Sequence, residues 1–74
     1  MPANSDLVRI DPNIMSGTPC FLGTRVPVAT LWDYLEAGDP LDRFLEHFPT
    51  VTREQAVGVL EMAREKVLAD ARAA

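Results

Sequence analysis

The sequence predicts a mainly α domain, with a short N-terminal β-ribbon followed by three helices in helix-turn-helix or winged-helix-like order. Three observations lead there. Apolar side chains recur at helical spacing in successive windows after residue 27. Residues suited to extended chain, with turn-forming glycines and prolines among them, are confined to 7–26. Gly38 and Pro49 then interrupt the helical part twice, which divides it into three.

Residues 1–6, MPANSD, are polar and are expected to be flexible. Residues 7–10, LVRI, have strand composition, and the DPN that follows is turn chemistry: Asp and Asn bond their own backbone, and Pro fixes φ. A second extended piece is expected at 19–22, PCFL, flanked by Gly17 and Gly23. Two strands this short need helices packed on them to be stable. The stretch from Ser16 to Val28 is the most punctuated of the chain. Gly17-Thr18 runs into Pro19, and Gly23-Thr24 runs into Arg25 and Pro27. These residues are read as a structural motif, because glycine supplies backbone angles that other residues resist and proline stiffens what surrounds it. The motif shapes a rigid ribbon that feeds the first helix.

That helix is expected over 28–37, where Val28, Leu31, Trp32 and Leu35 fall at i, i+3, i+4 and i+7, with Gly38 placed to end it. Asp39 has the chemistry of an N-cap and Pro40 that of a first helical residue, leading into a helix over 41–48. Leu41, Phe44, Leu45 and Phe48 repeat the same four-point template, and Pro49 stops it. Thr52 and Gln55 have capping-box spacing, so a third and longest helix is expected over 53–71. At its period, Ala56, Val59, Leu60, Ala63 and Val67 gather on one side and are expected to face the core. Glu54, Gly58, Glu61 and Glu65 fall opposite.

The 74 residues make one domain, 1–74, with one small core. A chain this short buries only about 60% of its unfolded surface. Yet 47% of the residues are hydrophobic, more than so small a body can enclose, so a homodimer is expected. No apolar run reaches the roughly 18 residues a membrane span needs, and no charged-then-apolar leader opens the chain. The expected compartment is the cytoplasm, and the single cysteine, Cys20, fits its reducing chemistry. The net charge is −4: residues 1–39 carry two basic and five acidic side chains, and 40–74 carry five and six. Neither part is a basic arm, which weighs against nucleic acid as the main ligand.

No small-molecule ligand, cofactor or metal is expected. A phosphate loop needs G-x-x-x-x-G-K-[ST]; here Gly17 and Gly23 have five residues between them, and Arg25 follows Thr24 instead of preceding it. Cys20 and His47 are the only residues of their kinds and lie on different elements, so no nucleophile–base pair or metal cluster follows from them, and an enzyme is not expected. Arg25 is the charge that stands out. Its fork suits a partner's carboxylate or phosphate; structurally it would tie the ribbon to Asp33 or Glu36 or cap carbonyls at a turn, and that role is favoured. The helix-turn-helix outline makes Thr50, Thr52, Arg53 and Gln55 candidate DNA contacts, since recognition helices read with their first turn. Glu54, Glu61 and Glu65 oppose that role with an acidic stripe, which is either a solvated face or a docking surface for a basic partner.

The run IDPNIMSGTPCFLGTRVPV, a helix ending at EAGDP, and FLEHFPTVTREQAVGVLEMA resemble the bacterial family catalogued as domain of unknown function 433 (DUF433), over roughly residues 8–66. The most specific parts are Ser16-Gly17-x-Pro19, Gly23-Thr24-Arg25-x-Pro27-Val28, Gly38, and Pro49 followed by Thr52. The resemblance implies a dimeric helix-turn-helix-type domain read as the antitoxin half of a toxin–antitoxin pair, whose partner is a PIN-like nuclease toxin. It also implies that the protein silences its toxin and autoregulates its operon, with DNA as a second ligand. The acidic third helix departs from an ordinary repressor and suits neutralisation, because a nuclease presents a cationic groove to its substrate.

Overall fold

The structure is a computed structural model that describes residues 7–73, and the expectation for 1–6 lies outside the described residues. Strands β1 (Val8–Arg9) and β2 (Cys20–Phe21) pair antiparallel, Val8 opposite Phe21 and Arg9 opposite Cys20. Helices α1 (Ala29–Glu36), α2 (Leu41–His47) and α3 (Arg53–Ala73) follow. The mainly α class with an N-terminal ribbon is therefore as expected, and each helix boundary lies within two residues of its expected place.

The chain between the strands makes an Asx turn, with Asn13 N–H donating to Asp11 Oδ1 at 2.8 Å. It then winds through a 3₁₀ turn over Met15–Gly17 whose three residues all have positive φ: 53°, 56° and 85°. Only Gly17 adopts that region freely. After β2 the chain reverses at Gly23, φ 79°. Thr24 locks this reversal: its hydroxyl donates to Phe21 O at 2.9 Å and accepts from Val26 N–H at 3.1 Å. Pro27 then lies against Cys20, and Val28 N–H donates to Pro19 O, so the returning chain is bonded to β2 before α1 begins.

α1 ends in a Schellman motif. Gly38 has φ 90°, its N–H donates to Leu35 O, and Asp39 N–H donates to Tyr34 O. This corrects the capping assigned to Asp39. Its backbone is spent closing α1, its carboxylate pairs with Arg43 one turn on, and Pro40, extended at ψ 158°, takes the N-cap position of α2 without a side-chain bond. The capping box of α3 forms as its spacing requires. Gln55 N–H donates to Thr52 Oγ1 at 3.1 Å, and Thr52 N–H donates to Gln55 Oε1 at 3.0 Å. The Gln55 amide makes a further bond, Nε2 to Leu22 O at 2.9 Å, which fastens the head of α3 to the ribbon.

Phe21, Leu31 and Phe44 are fully buried, and Val28, Val51, Ala56 and Val59 close around them. Burial of each large side chain contributes about 1.5–3 kcal/mol. The rings interlock at edge-on and tilted angles, Phe21–Phe44 at 5.9 Å, Phe44–Phe48 at 5.2 Å and Tyr34–Phe44 at 5.6 Å. α3 enters this core with its first half only. Val59 is 3% exposed, whereas Val67, expected on the same inner face, is 65% exposed. The physical reason is length: 21 residues make a helix of about 31 Å, and its last turns run past the body it packs on.

Five substitutions test this packing by their effect on stability. Gln55→Ala removes the return bond of the capping box, from Thr52 N–H to the Gln55 side chain, and the Leu22 bond, but leaves the bond from the residue-55 N–H to Thr52 Oγ1, and it should cost about 1–3 kcal/mol. Gln55→Glu preserves capping-box chemistry but sets an oxygen against Leu22 O, and it too should cost about 1–2 kcal/mol in urea unfolding. Ser16→Gly should stabilise the protein by about 0.5–1 kcal/mol, since glycine relieves a left-handed residue. Val59→Ala should cost about 1–3 kcal/mol, while Val67→Ser should change stability by no more than about 0.5 kcal/mol.

Candidate functional site

Two concave surfaces flank the ribbon. The larger is an open groove of about 1010 Å³ between β1, the start of α1 and the middle of α3. Leu7, Val8, Val28, Trp32 and Met62 give it an apolar floor, and Glu61, Glu65 and Lys66 edge it. Gly58 explains how β1 comes so close to α3: a Cβ there would lie 3.0 Å from Leu7 Cδ1. The smaller is a hollow of about 520 Å³ on the loop side, lined by Arg9, Ile14, Gly23, Thr24, Arg25, Val26 and Thr50. Val8 lines the groove and Arg9 the hollow, as expected of successive residues in a strand, which look to opposite faces.

Glu54, Glu61 and Glu65 are exposed, as their spacing indicated. Gly58 is not in that outward stripe: Leu7 covers it, and the covered arc of α3 is turned toward Gln55, Gly58 and Met62. Glu61 and Glu65 consequently stand at the lip of the groove and not on the far side of the helix. Glu54 lies two turns earlier, about 10 Å along the axis, and does not line the groove.

The four DNA candidates separate. Thr52 and Gln55 are committed to the capping box, and Gln55 also holds Leu22. Arg53 is paired with Asp42 of α2. Thr50 alone is exposed without such a role, and it lines the hollow. For Arg25 the expected tie of the ribbon to α1 is not made. Neither Asp33 nor Glu36 pairs with it, because the Gly23–Thr24 reversal carries it to the hollow beside Arg9. Gly17, Pro19, Gly23, Thr24, Pro27 and Gly38 act in backbone geometry, and Pro49 lies in the turn between α2 and α3.

Cys20 is buried and its thiol lies 3.3 Å from Thr18 O. His47 is exposed at the end of α2, its Nδ1 2.7 Å from the Tyr34 hydroxyl and its ring edge-on to that of Tyr34. Among the described residues no three His, Cys, Asp or Glu side chains converge as metal ligands. No described helix is long and apolar enough to cross a membrane.

Sequence reasoning missed the groove and the part Arg9 takes in the hollow. A glycine at 58, inside a helical pattern, was the available signal of close approach by another element. The alternation of Val8 and Arg9 was the other.

Residues 8–63 match the family described as "Protein of unknown function (DUF433)". The chain is 36% identical over 55 residues to the uncharacterized protein y4eO of Sinorhizobium fredii, a match covering 74% of this chain and 25% of that protein. The chain thus spans about a quarter of the length of that curated relative. The crystal structure of a DUF433 member protein from Anabaena variabilis superposes with a TM-score of 0.70 at 25% identity, over 93% of this chain and 68% of that one. A matched segment that takes in the ribbon, all of α1 and α2 and the packed half of α3 places this chain in the DUF433 family.

Proposed function

We propose that the protein is a binding protein of the antitoxin type, which grips a cationic partner protein in the groove between β1 and α3. One observation carries this reading: the exposed carboxylates Glu61 and Glu65 edge an open apolar floor. An apolar strip with a charged margin is the form of a groove that takes an amphipathic segment. The floor supplies affinity by burial, and the acidic margin selects and steers a basic segment. The family resemblance names the partner class, a PIN-like nuclease toxin, whose substrate groove is cationic. An anionic chain seated there would exclude the nucleic acid.

Catalysis by this chain itself is not part of the reading. Its one thiol is enclosed beside a backbone carbonyl, and its one imidazole is engaged with a tyrosine at the surface. Sequence-specific DNA reading by α3 is the lesser reading, since Thr52, Arg53 and Gln55 are already bonded within the protein.

The test is co-expression with the product of the adjacent reading frame, followed by co-purification and a titration against salt. A complex is expected that weakens as salt rises. Glu61→Lys with Glu65→Lys should lower its affinity by about tenfold or more, with the melting temperature of the free protein unchanged, because both side chains are exposed. An adjacent product that does not bind, or a complex indifferent to the two reversals, would contradict the proposal. A free chain that sediments as a dimer and dissociates on the same reversals would show that the groove serves a second copy instead.

A further inference from the structure

We propose that the hollow between Arg9, Arg25 and Thr50 is a site for the phosphodiester backbone of nucleic acid, on the face of the ribbon away from the groove. The observation is a segregation of charge. Residues 1–39 carry two basic side chains against five acidic ones, and both of them, 16 positions apart, line this one hollow. Among the described residues no carboxylate lines it, and neither arginine takes part in an ion pair. Elsewhere Arg43, Arg53 and Lys66 are each paired with an aspartate, and Arg64 and Arg72 of α3, like the two arginines of the hollow, take part in none of these pairs; what sets Arg9 and Arg25 apart is that they share one hollow.

The hollow is also built. Gly23 and the two hydrogen bonds of the Thr24 hydroxyl fix the backbone on which Arg25 stands. Arg9 is held by strand register opposite Cys20. The Thr50 hydroxyl is presented from the turn between α2 and α3, where Val51 N–H donates to Phe48 O. Arginine forks and a threonine hydroxyl converging on one surface are the donor set that phosphate oxygens take in nucleic-acid complexes.

The exposure of both arginines favours a polymer over a free phosphate. A single small anion on two solvated guanidinium groups gains little, whereas a strand adds contacts along its length and releases condensed counterions. Such contacts fix position and carry no sequence information. This site therefore needs none of the side chains committed to the cap of α3. It stands independently of the groove, and Val8 and Arg9 lead to the two surfaces from adjacent positions.

The experiment is fluorescence anisotropy of the full chain with labelled DNA and RNA duplexes over a range of salt, with ¹H–¹⁵N spectra to locate the contact. Binding at low salt should move the amide signals of Arg9, Gly23, Arg25 and Thr50. Arg9→Ala and Arg25→Ala should each reduce the slope of log K against log [salt] by about 1. Arg9→Lys with Arg25→Lys should largely retain it, which a purely structural arginine would not allow. Glu61→Gln with Glu65→Gln should leave those amide shifts in place. The proposal is overturned if neither duplex binds at low salt, or if the alanine variants keep the full slope. It is overturned equally if inorganic phosphate, at matched ionic strength, moves the same amides as strongly as a duplex.

Discussion

The side chain of Gln55 ties the two halves of this protein together. Its oxygen closes the first turn of α3 and its nitrogen holds Leu22 O, next to the fully buried Phe21. A two-residue strand pair cannot stand alone, and a long helix needs a fixed origin to aim its far end. One amide meets both needs. With Leu22 held, Phe21 seats against Phe44, and the Gly23–Thr24 reversal lies beside the head of α3. With the first turn of α3 held, Ala56 and Val59 enter the core and Gly58 meets Leu7.

Both candidate surfaces descend from that tie. The groove exists because the ribbon lies over Gly58, which leaves Val8, Trp32 and Met62 to line a trough beyond the contact. The hollow exists because the same ribbon turns its other side to the loop of Gly23 and to Thr50. A chain of net charge −4 thus carries an acidic lip at one surface and two arginines at the other, so the two ligands proposed for them would not compete. The half of α3 that runs past the core leaves Val67 exposed on the helix side that faces the core in its first turns.

Much of this was legible in the chain. Three helices, the capping box of Thr52 and Gln55, the Gly38 terminus and the backbone roles of Gly17 and Gly23 follow from local chemistry, which acts within a few residues and leaves a local pattern. Three of the four misreadings were long-range, and the fourth was a competition between two adjoining helix ends. Val67 has the right period for the core, but period does not tell where along its axis a helix leaves the body. Helical angle alone sets Gly58 on the outer side and carries no sign that Leu7 lies on it. Asp39 is a good cap by composition, yet its backbone closes α1, its carboxylate pairs with Arg43, and Pro40 stands at the N-cap of α2. Asp33 and Glu36 are the acidic residues nearest to Arg25 in sequence, but the rigidity of the Gly23–Thr24 reversal sends it elsewhere.

The central claim is that the fold uses only the first half of α3 to close its core, and that the far half runs past it. Amide hydrogen exchange on the free protein tests it most directly. Amides from Val57 to Ala63 should exchange only through global unfolding, and those from Lys66 to Ala71 orders of magnitude faster through local opening. Protection that continued undiminished to Ala71 would contradict the account, because the far half of the helix would then already be packed in the protein alone.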